Sequence, residues 1–181
     1  MLRKMHRRMS NEKAFTLIEV IVSLVLIGIL AAVAGFGLVK ITEGYVFSKK
    51  NAETVQKAQI AMARIVKELS AAEKAPAAAT AITTADETSV TYTRQEPIGS
   101  NTFIPYTITL TGSTVQINGT TLVDNVTAFT LAYLNAVGGT LSVPVAVPAN
   151  IRWIDIALTV RGANDQLSTF NNRVNILEFY L

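Results

Sequence analysis

Between Phe15 and Val39 the chain contains one charged residue, Glu19. No other feature restricts the fold as strongly. Wound as an α-helix, this stretch is roughly 37 Å long at about 1.5 Å per residue. That is enough to cross a hydrocarbon layer of about 30 Å. The residues before it are basic: Arg3, Lys4, Arg7, Arg8 and Lys13 stand against Glu12. A basic flank favours a cytoplasmic N-terminus, with the rest of the chain on the other side of the membrane. The net charge of +3 therefore belongs to residues 1–14. The remainder is close to neutral and gives no ground for expecting nucleic acid as a partner.

Two plain readings compete for this segment. Ala31-Ala32-Val33-Ala34 supplies the small residues of a secretory cleavage site, although the apolar run exceeds the roughly 7–15 residues of a signal-peptide core. A simple signal anchor explains the length and the charge bias, but it leaves Glu19 without a reason. A carboxylate in an apolar span costs about 2.5–3.5 kcal/mol when central and less near an end, and it usually marks a partner. The span itself holds no lysine or arginine. A chain cut near Phe15 would supply a free amine instead. On a continuous helix, Phe15 and Glu19 are four residues apart and share a face.

The segment Lys13-Ala14-Phe15-Thr16-Leu17-Ile18-Glu19-Val20 resembles the class III signal of type IV prepilins and type II secretion pseudopilins. The resemblance implies a basic leader cut by prepilin peptidase between Ala14 and Phe15, and N-methylation of Phe15. It also implies that Glu19 pairs with the terminal amine of an adjacent subunit during assembly. The family usually has glycine before the cut, where this chain has Ala14. The implied partners are other pilin or pseudopilin subunits, the peptidase/methyltransferase, an inner-membrane assembly platform and membrane lipid. The implied location is the inner membrane, then a pilus or pseudopilus, with the folded part outside the cytoplasm.

The expected organisation is a leader at 1–14, a transmembrane helix at 15–39, an amphipathic helix at 40–75 and a β-rich domain at 76–181. Ile41, Tyr45, Ala52, Val55, Met62, Val66 and Leu69 recur at helical spacing, and Lys67 and Glu68 are assigned to the polar side. Gly28, Gly35, Gly37 and Gly44 leave room for bending or close packing of this helix. Pro76 ends the helical pattern. Alternating β-formers then predict strands at Ser89–Arg94, Tyr106–Leu110, Thr114–Asn118, Ala128–Leu134, Arg152–Val160 and Val174–Tyr180. Asn118-Gly119 predicts a tight hairpin leading into Thr121-Leu122-Val123. The fold class is α+β, a long N-terminal helix on an antiparallel sheet, which is the pilin-like arrangement. The order Val126–Leu134, a glycine loop, then Ile151–Val160 also resembles minor subunits of the J or W type.

The chain has no cysteine, and its one histidine is His6. Beyond residue 14 neither a Ser-His-Asp nor a Cys-His arrangement can be built, and no enzymatic activity is expected. Asp124, Asn125, Asp155, Asn164 and Asp165 offer oxygen ligands without EF-hand spacing, and neither metal nor cofactor is expected. Phe129, Tyr133 and Trp153 read as sheet core, and Arg152 and Arg161 as strand-end surface charges. Gly35-Phe36-Gly37 lies inside the apolar span, so it is no nucleotide fingerprint. A second functional class stays open: a membrane-anchored or filament-tip module that contacts a surface, DNA or a secreted substrate.

Overall fold

The computed structural model describes residues 15–176. The chain divides into two compact units, Met1–Val46 and Phe47–Leu181. Helix α1 (Leu17–Ser70) is 54 residues long. In the first unit its apolar side chains, from Leu17 to Tyr45, are exposed. A helix that is apolar on all sides and finds no protein core is suited to a non-aqueous surrounding. By length and composition it can cross a membrane. The first charged residues past Val39 are Lys40 and Glu43, which pair with each other at 2.8 Å.

Among its described residues the second unit contains the C-terminal turns of α1 and eight strands. Strands β1 (Ile82–Ala85), β2 (Ser89–Gln95), β3 (Phe103–Thr111), β4 (Thr114–Ile117) and β5 (Thr120–Val123) form one sheet in sequential order. Strands β6 (Val126–Leu134), β7 (Trp153–Arg161) and β8 (Leu167–Asn175) form a second. Every pairing is antiparallel. The fold is therefore α+β, with the strands shared between two sheets. Strand β7 alternates strictly, with Ile154, Ile156, Leu158 and Val160 buried. These join Phe129, Leu131 and Tyr133 of β6, Val90 and Tyr92 of β2, and Ile108 of β3 in one core. The Asn118-Gly119 turn forms as expected: both residues have positive φ, 48° and 79°, as a two-residue I′ hairpin requires.

Three expectations need correction. The buried stripe of α1 is Ala58, Ala61, Met62, Ile65 and Leu69, together with Glu68. Ile41, Tyr45 and Ala52 are exposed, because the core begins only where the strands do. Among the described residues the last strand is β8 at Leu167–Asn175, which begins well before the expected start at Val174. It pairs with β7 from Arg161↔Leu167 to Trp153↔Asn175, and residues 177–180 lie outside the described residues. Arg152 is half-buried rather than a surface charge. Its guanidinium donates to the carbonyls of Ala149 and Ile151, both at 3.0 Å.

Candidate functional site

The N-terminal turn of α1 positions Glu19. Thr16 is the residue before the first helical position, and its hydroxyl accepts from the Glu19 N–H at 3.3 Å. Its carbonyl accepts from the N–H groups of Glu19 and Val20 at 3.1 and 3.3 Å. Thr16-x-x-Glu19 is thus the threonine half of a capping box. The signal was legible in the sequence as a threonine three residues before a glutamate at the start of an apolar run. The carboxylate lies in the first turn, where the helix dipole favours negative charge. Glu19 is exposed, and so is Phe15, at 77%. Phe15 precedes the cap, so the two residues are not successive members of one helical face. Ala14 lies outside the described residues.

A second cluster, which the sequence reading missed, joins the other end of α1 to the first sheet. Glu68 is 4% exposed. One carboxylate oxygen accepts from Arg64 Nε at 2.8 Å. The other accepts from Arg94 at 2.7 Å and from the Tyr92 hydroxyl at 3.2 Å. Arg94 also pairs with Glu96, and its guanidinium lies 4.7 Å from the centre of the Tyr106 ring. The Tyr106 hydroxyl donates to Glu96 at 2.5 Å, and Tyr106 stacks on Tyr92 with ring centres 5.8 Å apart. Burial first, and then the Glu68 charge, push the Tyr92 hydroxyl well above its ordinary pKa. Each carboxylate here has a cation, and the cluster ties the helix to the sheet.

The remaining candidate ligands do not converge. Asp155 on β7 is bonded by Arg173 of β8 at 2.5 and 2.6 Å, and that bonding holds its carboxyl below the usual range. Asp165 pairs with Arg161 at 3.1 Å. Among the described residues no three carboxylate, histidine or cysteine side chains group together.

The prokaryotic N-terminal methylation motif matches residues 9–39. This interval contains Ala14, Phe15, the Thr16 cap and Glu19, and it runs to the end of the apolar stretch. No curated protein sequence matches the chain. The motif marks a prepilin-type substrate of prepilin peptidase. A signal of this type together with an exposed apolar helix fits membrane anchoring, and the motif implies processing and assembly with other pilin-type subunits.

Proposed function

We propose that the chain is a minor pilin or pseudopilin, cut between Ala14 and Phe15, methylated on Phe15 and assembled into a type IV pilus or a type II secretion pseudopilus. The observation that supports this most directly is a lone carboxylate in the first turn of an exposed apolar helix, inside the matched motif. Cutting there creates a positive amine at the positive end of a helix dipole, an unfavourable placement. Glu19 supplies the compensating charge, on its own chain or on a neighbour's. A neutralised pair enters an apolar filament core at a lower cost than either charge alone.

In this reading residues 15–39 span the inner membrane with the leader in the cytoplasm, and the β-rich unit lies outside. The assembly platform extracts the helix into the filament. The order of β6, the glycine loop and β7 favours a minor subunit. The test is Glu19→Ala in the native host. Expression and cleavage are expected to persist, while the variant disappears from sheared filaments. Normal incorporation would remove Glu19 from the assembly mechanism.

A further inference from the structure

Glu19 donates its main-chain N–H to the Thr16 hydroxyl at 3.3 Å and to the Thr16 carbonyl at 3.1 Å. In an α-helix continued toward the N-terminus, that N–H would bond the carbonyl four residues back, which belongs to Phe15. Thr16 therefore intercepts the bond that would wind Phe15 into the helix. Phe15 and Thr16 are non-helical and exposed, and α1 begins at Leu17. Propensity alone does not stop the helix there. Glu12, Lys13 and Ala14 are good helix formers, and no proline or glycine stands between Glu12 and Val20.

We propose, resting on the cut between Ala14 and Phe15 assigned above, that Thr16 is a positioning residue for removal of the leader. Its cap stops α1 short of the bond to be cut, so the peptidase meets that bond outside the helix. Hydrolysis breaks the bond between the Ala14 carbonyl carbon and the Phe15 nitrogen. The water oxygen ends on the Ala14 carboxylate, and both water protons end on the Phe15 nitrogen, which leaves as an ammonium group. For this, water must reach the carbonyl carbon, and the enzyme's donors must hold the carbonyl oxygen. Inside a helix that oxygen would instead be bonded to the Ile18 N–H, and the next turn would lie about 5.4 Å away along the axis. Unwinding the turn would add to the barrier of the cut.

The cap uses the main-chain N–H of Glu19, so it is independent of the carboxylate that assembly needs. What separates a capped end from a continued helix at this point is the side-chain oxygen of residue 16. Serine and asparagine supply such an oxygen on side chains of different shape. Valine keeps the β-branched shape of threonine and supplies none. The same cap leaves the amine created at Phe15 outside α1, where the methyltransferase can reach it.

The test is cleavage of the full-length precursor, purified in detergent, by prepilin peptidase. Values of kcat/KM are measured for the native chain and for Thr16→Val, Thr16→Ser and Thr16→Asn. Thr16→Val is expected to be cut about fivefold less efficiently, equivalent to about 1 kcal/mol, the usual worth of such a cap. Thr16→Ser and Thr16→Asn are expected to stay within about twofold of the native chain. Amide hydrogen exchange on the same precursors, without peptidase, reads the helix start alone. The Leu17 and Ile18 amides lie among the first four of the helix, which lack partners at a capped end, and they are expected to exchange more slowly in Thr16→Val. Native-rate cutting of Thr16→Val, or unchanged exchange in it, would overturn the proposal. So would equal slowing in Thr16→Asn, which would mean that the peptidase reads the threonine itself. A native precursor that is never cut between Ala14 and Phe15 would sink the assigned cut, and the role of Thr16 with it.

Discussion

Glu68, near the C-terminal end of α1, and Arg94, on β2, meet at 2.7 Å across 26 residues of sequence. The carboxylate is almost wholly removed from solvent and the guanidinium about a quarter exposed. A buried ion pair of this kind is weak evidence for stability compared with an apolar replacement. It does fix which turn of the helix faces which strand, since any other register would bury the carboxylate without its cation.

Arg94→Ala should therefore destabilise the folded unit by about 3 kcal/mol, the low end for breaking a buried pair, because Arg64 and Tyr92 still reach Glu68. Arg64 bonds to the same carboxylate from an exposed position, 59% accessible. Arg64→Ala should cost less than about 1 kcal/mol. Denaturant unfolding of the two variants checks the contrast, and equal losses would show that burial of the partner does not set the effect.

How much of this was legible in the chain follows the range of the signals. The apolar helix, Glu19 and the Asn118-Gly119 hairpin are local patterns, and the structure contains each of them. Glu68 was misplaced because its cation lies on another element, and a charge directly before Leu69 reads as solvent-facing when that cation is unknown. Strand β8 was shifted because Asn171-Asn172-Arg173 are poor strand formers that pairing with β7 overrides. Strand β1 was missed because four residues, Ile-Thr-Thr-Ala, are too few to show a period.

A second long-range contact fixes the other side of the helix. Asn51 Oδ1 accepts from the Ala163 N–H at 2.8 Å, just past β7. A Cβ at Gly162 would collide with that oxygen. Gly162→Ala and Asn51→Ala should each cost about 1 kcal/mol, the typical worth of one hydrogen bond. The double variant should be little worse than either alone, because both remove the same contact. Fully additive losses in a double-mutant cycle would break the link.

The tyrosines give a pH signature. Of the five, Tyr92 and Tyr133 are fully buried, and burial raises both above the ordinary 10.0. In the unfolded chain they ionise near 10.0. Their contribution to stability is thus complete below that pH and is lost as pH rises toward their folded values. Ultraviolet titration of the folded protein should leave Tyr92 and Tyr133 un-ionised past pH 10, released only on alkaline unfolding. Ionisation of Tyr92 and Tyr133 near pH 10 in the folded protein would contradict their burial.

The central claim is that the leader is removed at one bond and the new end modified. Mass spectrometry of the N-terminus of the protein from its native membrane tests it directly. The expected result is a chain beginning at Phe15 with one added methyl group on its amine, and an unprocessed form accumulating in cells that lack the peptidase. A mature protein that still begins at Met1, or that has been cut after Ala34 as a secretory signal would be, would contradict the account.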